Sequence, residues 1–346
     1  GGNTGKLGAL LYPQASHVHY AVLNRRDQCF LQRAGVPETH LHLLPNAVWI
    51  EAPSPAETGW REGSAERLFL YPVRAIRRKN IGEFLLWSAL GKRGDRFAIS
   101  LAPQNPLARP IYAQWVAFAR SLDLPVVFDL VTTSQQPLAA LVHAAHALIT
   151  TSVAEGFGLA FLEPWLLNRA LLGRKLPEIT AEFEEAGVDL SDLYNRLTVP
   201  VEWIGGPVVL RRKLAAALPS YLASYGRHMQ PGDVEQILHT LLNNGRVDFG
   251  RLDEELQAQI IRHLVHTPAA RQELSPPSLP SAEDSKKIER NRQAVQQAFS
   301  LERYGQRLMQ IYRQVMESPV DSLDSLSADL LLDQFLAPER FSLLRT

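Results

Sequence analysis

The sequence reads as an α/β protein built on a parallel sheet with helices on both faces. Three observations lead there. Short apolar runs alternate with amphipathic stretches of about ten residues from residue 67 to residue 172, the mark of βαβ units. The apolar run Leu148-Ile149-Thr150-Thr151 is followed by a glycine turn and a further helical stretch, giving strand, turn and helix in order. The composition is that of an ordinary globular protein, with 46% hydrophobic and 21% charged residues. A length of 346 residues suggests roughly two domains at about 150 residues each.

The elements follow in chain order. Residues 18–24 read as a buried strand, 25–34 as a short helix ending at Gly35, and Leu41–Leu44 as a second strand. Together they make one β-α-β unit. Residues 51–66 carry Pro53, Pro55 and Gly59 among scattered charges and read as a linker. The alternation then runs through strand Arg67–Val73, helix Ile81–Leu90, strand Phe97–Leu101, helix Ile111–Leu122, strand Val126–Val131, helix Pro137–His146, strand Ala147–Thr150, helix Leu159–Leu167 and a last strand Ala170–Leu172. From residue 181 the pattern turns helical, at 208–225, 233–242 and 252–265. Prolines 268, 276, 277 and 280 mark 267–285 as a loop. Residues 299–316 form the clearest C-terminal helix, with apolar positions 301, 304, 308, 311, 312 and 315. The last 25 or so residues read as a short helix and a loosely attached end.

Composition excludes some functions. Lys plus Arg equals Asp plus Glu at 36 each, which argues against a dedicated nucleic-acid binder. Cys29 is the only cysteine, so an internal disulfide and a cysteine metal site are both excluded. His143 and His146 lie three apart on a helix with no carboxylate nearby in sequence, and no Asp-x-Asp motif exists. No metal or cofactor is expected. No run of about 18 apolar residues occurs, so no transmembrane helix is expected. That fits a cytoplasmic protein, with room for peripheral contact with the inner membrane face. The start, Gly1-Gly2-Asn3, is neither a signal peptide nor a methionine start, and a truncated, partial or processed chain all fit it.

Two stretches carry chemistry. In Ser152-Val153-Ala154-Glu155-Gly156-Phe157-Gly158-Leu159-Ala160-Phe161-Leu162-Glu163, two carboxylates flank a glycine turn at the end of a strand. Glycines there let an anion approach backbone N–H groups at a helix start. Carboxylates beside a phosphate are repelled unless they serve neutral hydroxyls. A ligand with both phosphates and many hydroxyls is a nucleotide sugar. The second stretch is Arg74-Ala75-Ile76-Arg77-Arg78-Lys79-Asn80, also after a strand. Arg74 and Lys79 stand five apart, where a loop aims both at one diphosphate. Taken singly, a basic turn is commonly just solvated, and a glutamate near a helix start commonly caps it. The weight lies in two anion-suited loops on one edge of one sheet.

Glu-Gly-Phe-Gly-Leu with a second Glu eight positions on resembles the donor-site signature of retaining glycosyltransferases of family 4, which have the GT-B fold. Arg74, Lys79 and Asn80 look like that family's arginine–lysine pair. Leu176-Pro177-Glu178-Ile179 looks like its Gly-Gly-x-Pro-Glu-Ile loop, with Arg174-Lys175 in place of the glycines. The resemblance is strongest over 67–180. It implies a remnant of an acceptor-side domain at 1–50, a linker at 51–66, a Rossmann-like donor domain at 67–180, a helical part with a closing helix at 181–316, and a tail at 317–346.

The resemblance also implies roles. Arg74 and Lys79 would hold the diphosphate as leaving group, and Glu155 would contact the transferred sugar. Gly156, Phe157, Gly158 and Leu159 would line the donor, with the N–H groups of the first three on the sugar or distal phosphate. Glu163 would accept from the ribose hydroxyls, and the base would sit around Val131. The expected activity is sugar transfer from a nucleoside-diphosphate sugar, with retention, to an acceptor the sequence does not identify. A non-catalytic nucleotide-sugar binding module and a sugar-nucleotide epimerase or phosphorylase of the same fold are the alternatives.

Overall fold

The computed structural model describes residues 12–50, 67–276, 278–279 and 285–345. The linker expected at 51–66 lies outside those residues, as does part of the loop expected at 267–285.

The N-terminal stretch forms the expected β-α-β unit. After β1 (Pro13–Gln14) come β2 (Tyr20–Val22), α1 (Arg25–Arg33) and β3 (Leu41–Leu43). β2 and β3 pair in parallel as a two-stranded sheet of their own. Asn24 caps α1, its side-chain oxygen accepting from the Asp27 N–H at 2.9 Å. β2 is not buried as the sequence predicts: Ala21 is exposed and its neighbours half-buried. Two strands are too few to cover both faces. The unit closes a small core in which Phe30, Leu31 and Leu41 meet Leu326 and Leu331 from the far end of the chain.

The main sheet follows. Its elements are β4 (Arg67–Arg74), α2 (Ile81–Ala89), β5 (Asp95–Leu101), α3 (Arg109–Ser121), β6 (Val126–Val127), α4 (Leu130–Ser134), α5 (Leu138–Ala144), β7 (Ala147–Thr150), α6 (Glu163–Leu166) and β8 (Ala170–Gly173). All pairings are parallel, in the order β6-β5-β4-β7-β8. The chain winds outward from β4 to β6, then crosses back to lay β7 on the other side of β4. The winding reverses between β4 and β7, and the carboxyl ends of such strands are the usual ligand position in open α/β sheets. Side chains alternate along β4, as a strand covered on both faces requires: Leu68 and Leu70 enter one core, Phe69 and Tyr71 the other.

Two elements differ from their sequence expectation. The strand expected over 126–131 stops after Val127, and Val131 lies in α4. The helix expected over 159–167 is broken into a 3-10 turn, Leu159–Phe161, and the short α6. Pro164 explains the break. It lacks an N–H, so it stands at a helix start and cannot continue a turn begun at Leu159.

The C-terminal part holds α7 (Pro177–Glu185), β9 (Thr198–Pro200), α8 (Gly206–Ser224), α9 (Asp233–Leu241), β10 (Leu242–Asn243), β11 (Arg246–Asp248), α10 (Glu254–His266), α11 (Ser285–Ala298), α12 (Leu301–Glu317), β12 (Asp324–Ser325) and α13 (Ala328–Phe335). The three expected helices correspond to α8, α9 and α10. The region is not purely helical, because β9, β10 and β11 form a small antiparallel sheet. Its hairpin turns on Asn244-Gly245, both at positive φ (50° and 72°), a two-residue turn for which Asn-Gly is suited. Helix α11 was not expected, since its few apolar residues give no clear period, yet Asn291 and Val295 are fully buried.

The clear helix of 299–316 is present as α12, but none of its residues is buried. The end of the chain is not loosely attached. Phe341, Leu343 and Leu344 are buried, and the Phe341 ring meets Tyr221 edge-on at 5.3 Å.

Candidate functional site

The loops after β4 and β7 are fastened to each other at the switch point. The Val153 N–H donates to the Arg78 carbonyl at 3.0 Å. Thr151 Oγ1 donates to the carbonyls of Lys79 and Asn80, at 2.9 and 3.1 Å. Tyr71 Oη donates to the Lys79 carbonyl at 3.1 Å and lies 2.8 Å from Ser152 Oγ. Burial pushes the Tyr71 hydroxyl up to about 12, so it keeps its proton. Asn80 turns the chain into α2 at φ 51°, and its buried amide donates to Glu83 at 2.8 Å. Lys79 is thereby fixed at its backbone while its side chain reaches the loop after β7.

There Lys79 forms an ion pair with Glu155, and Arg78 meets the same carboxylate at 2.6 Å. The Lys79 and Glu155 side chains are only 10% and 8% exposed. Burial works to raise the Glu155 carboxyl, but Lys79, Ser152 and Arg78 outweigh it and hold it below the usual range. Burial pulls the Lys79 ammonium down, against the attraction of Glu155. Two cations share one carboxylate, which leaves one positive charge for a further anion.

A cavity of about 450 Å³ opens beside this cluster. Its wall includes Lys79, Glu155, Phe157, Gly158, Leu159 and Glu163, six of the nine residues the sequence singled out. Gly158 has φ 97°, and a side chain there would meet Ile179 and Phe161 at 2.9 Å, so only glycine fits. The Phe157 ring is buried edge-on against Phe183 at 5.3 Å and locks the loop to the core. Glu163 lies in the first turn of α6, and burial alone raises its carboxyl. No ion pair offsets that burial among the described residues. The helix start that the sequence suggested after Gly158 is only the 3-10 turn, so an anion there meets local N–H groups rather than a long helix dipole.

The other three residues lie apart from the wall. Arg74 stands exposed at the end of β4, one residue beyond the lining Val73, with no ion pair among the described residues. Val131 packs against one of the two sheet cores and does not line the cavity, whose apolar lining includes Leu138 and Val142 among others. Gly156 is exposed on the far side of the turn, where its carbonyl accepts from Asn24 Nδ2 at 2.8 Å.

Three features escaped the sequence reading. Arg78, quoted only as part of a basic run, contacts Glu155 directly. Asn24 ties the N-terminal unit to the glycine turn across 132 residues, and no local signal announces such a contact. Arg174 is 3% exposed and bridges two carboxylates, Glu83 at 2.6 Å and Asp248 at 2.8 Å. Tyr194 donates to the same Glu83 at 2.7 Å. Arg174 therefore joins α2, β8 and β11 beneath the site. Among the described residues, no group of His, Cys, Asp and Glu is arranged to hold a metal, and no helix is long and apolar enough to cross a membrane.

Comparison with known proteins gives limited likenesses. No family model matches the chain. A mannosylglucosyl-3-phosphoglycerate synthase of Petrotoga mobilis is 25% identical over 187 residues, covering 50% of this chain and 37% of that protein. Among solved structures, a sucrose-phosphate synthase from Thermosynechococcus elongatus aligns with 86% of this chain and 58% of its own, at a TM-score of 0.45 and 16% identity. Anabaena HepE in complex with UDP and glucose aligns with 85% of this chain and 63% of its own, at 0.48 and 13%. The chain thus spans well under half of the curated relative it matches.

Proposed function

We propose that this chain carries the donor site of a nucleotide-sugar-dependent glycosyltransferase of GT-B type. One observation carries the reading: the switch-point cavity gathers a buried cation and two carboxylates at the ends of adjacent strands, beside a glycine-only turn. Lys79, with Arg78 behind it, would hold the diphosphate. Glu163 would accept from the ribose hydroxyls, which would compensate its buried charge. Leu138 and Val142 would flank the base in place of Val131. Glu155 would turn toward a hydroxyl of the transferred sugar once a diphosphate claims Lys79. Gly158 and Leu159 would offer backbone N–H groups to the distal phosphate.

Catalysis would rest on charge. When the glycosyl carbon–oxygen bond breaks, the electron pair leaves on the diphosphate, and a fixed cation in a half-buried site stabilises it most where that charge develops. This assigns neutralisation to Lys79 and Arg78 and asks for no metal, so activity should survive EDTA. Arg74 would join only if its exposed side chain folded inward over the bound diphosphate. The name of the Petrotoga relative, a synthase of a glycosylated phosphoglycerate, supports sugar transfer. The transfer would move a hexosyl group and retain its anomeric configuration.

A non-catalytic nucleotide-sugar binder is the second reading. It is favoured by Arg174-Lys175 standing where the resembled family has glycines, and by Glu155 being committed to two cations. The test is direct. A panel of nucleoside diphosphates and their sugars is titrated by calorimetry, and glycosyl release is followed by NMR in the same samples. Binding with release supports a transferase, and the anomeric signal of the product reads out retention. Binding without release favours the second reading. No binding by any nucleoside diphosphate overturns both.

A further inference from the structure

A second cavity, of about 520 Å³, lies on the other side of the Glu155 loop and shares Glu155 with the first. It is bounded by α1 of the N-terminal unit, the loops after β7, β8 and β11, and the C-terminal segment around Arg340. Seven basic and four acidic side chains line it. Three of the four carboxylates are already committed: Glu155 to Lys79 and Arg78, Asp248 to Arg174, and Glu178 to Arg340. The fourth, Glu339, is exposed. On the basic side, Arg26 pairs with Asp27 and Lys175 with Glu184.

Arg33 is exposed and donates to the neutral Gln334 amide oxygen at 3.1 Å, and Arg196 and Arg251 likewise have no carboxylate partner of their own among the described residues. Arg196 and Arg251 both line this cavity and a smaller one of about 160 Å³ beside it. Arg196 is exposed and has no ion pair among the described residues. Arg251 is half-buried, and its described hydrogen bond goes to a neutral acceptor, the Glu339 carbonyl. Burial lowers the Arg251 guanidinium and outweighs the pull of Asp248; Arg196 and Arg174 repel it further and Glu178 attracts it, with Asp248 itself held by Arg174 and Glu178 by Arg340. Crowded guanidiniums without a carboxylate of their own suit an oxyanion, which accepts several N–H groups at once.

We propose that this second cavity binds an acceptor bearing a phosphate or carboxylate, held by Arg196 and Arg251, with its hydroxyl directed toward Glu155. The proposal rests on the donor reading of the first cavity and adds the acceptor's chemical class. Glu155 is the only acidic residue lining both spaces among the described residues, so a hydroxylated anion seated here lies next to the donor sugar. The sugar-phosphate and sugar-carboxylate forms share this chemistry, and the probes below separate them.

The test titrates glucose 6-phosphate, glucuronate and glucose into the whole chain, with and without a saturating nucleoside diphosphate. The expected result is binding of one or both anionic sugars and none of glucose. Arg196→Ala and Arg251→Gln should each weaken that binding about tenfold, the loss of one charge-assisted contact. Affinity for the nucleoside diphosphate should stay within about twofold in both variants. Arg196→Glu, at an exposed position, gives the same readout should Arg251→Gln fail to fold. Equal binding of glucose and the anionic sugars overturns the proposal. So does anion binding that survives Arg196→Glu, or anion binding lost only on adding nucleoside diphosphate, which places the anion in the first cavity. Nucleoside-diphosphate binding is measured separately in each sample, so failure of the donor reading shows as its loss in the unmodified chain.

Discussion

Replacing Lys79 by methionine is the sharpest test of the proposed donor cavity. The substitution keeps an unbranched side chain one atom shorter and removes its charge. The backbone at 79 is held by bonds from Tyr71 and Thr151 that do not involve the side chain, so the loop should keep its course. Two stability terms oppose each other. Removing one partner of a buried pair costs about 3–5 kcal/mol when the other charge is left alone. Here Arg78 still meets Glu155 at 2.6 Å, and the unfavourable burial of the ammonium disappears with it. A net loss of roughly 1–2 kcal/mol is expected, small enough to leave the protein folded. Ligand binding should respond more strongly. A charge-assisted contact contributes about 1.5–3 kcal/mol, which is roughly 10- to 150-fold in dissociation constant. Calorimetry with UDP, GDP and ADP measures it, and urea unfolding measures the stability term. If the unmodified chain binds a nucleoside diphosphate and Lys79→Met binds it within twofold, Lys79 does not face the phosphates and the assignment fails.

Other outcomes follow from the same geometry. Glu155→Gln frees both cations, so it should tighten binding of a nucleoside diphosphate several-fold while lowering glycosyl release by roughly 10²-fold, the scale of a removed catalytic contact; parallel calorimetry and turnover assays show whether the two move apart. Glu163 has its folded pKa above its unfolded value, so its protonated form is favoured by the fold. That contribution is complete below the unfolded pKa and lost as pH rises through the folded pKa, where the ionised carboxylate becomes a cost. Glu163→Gln should therefore leave the empty protein as stable or more stable at neutral pH, yet weaken nucleoside binding; in the unmodified chain, binding should tighten as pH rises through that same pKa, and a flat profile would count against ribose contact. Arg174→Met leaves Glu83 and Asp248 buried without their partner and should cost about 3–5 kcal/mol in urea unfolding. Phe341→Ala removes a buried ring from the C-terminal end and should cost about 3–5 kcal/mol, whereas a loosely attached end would give almost nothing.

Much of the fold was legible because its signals are local. The main strands and helices of 67–173 show as apolar runs of the right length, and the candidate ranges 208–225, 233–242 and 252–265 coincide with helices. The failures have local causes too. Pro164 breaks the expected helix because a proline ring cannot continue a turn. The Asn244-Gly245 dipeptide is a turn signal, but the strands it joins are only two and three residues long, too short to show as apolar runs. Helix α11 has too few apolar residues to reveal a period, since its buried positions include Asn291 and Lys287. Helix α12 shows the converse: a strong apolar stripe guarantees a helix but not its burial.

Within the site, the sequence by itself determined which residues can bear the chemistry. Glycine at 158 is required by the backbone, a carboxylate at 155 and cations at 74–79 follow strand ends, and a second carboxylate at 163 opens the next helix. Only the tertiary structure decided which of them meet. The reversal of strand order places β7 against β4, and that contact chooses Arg78 over Arg74 as the second cation on Glu155. It also buries Arg174 between carboxylates 91 and 74 residues away. Ionic contacts depend on distance in space and on the water removed between charges, and neither quantity is written in the spacing of residues along a chain.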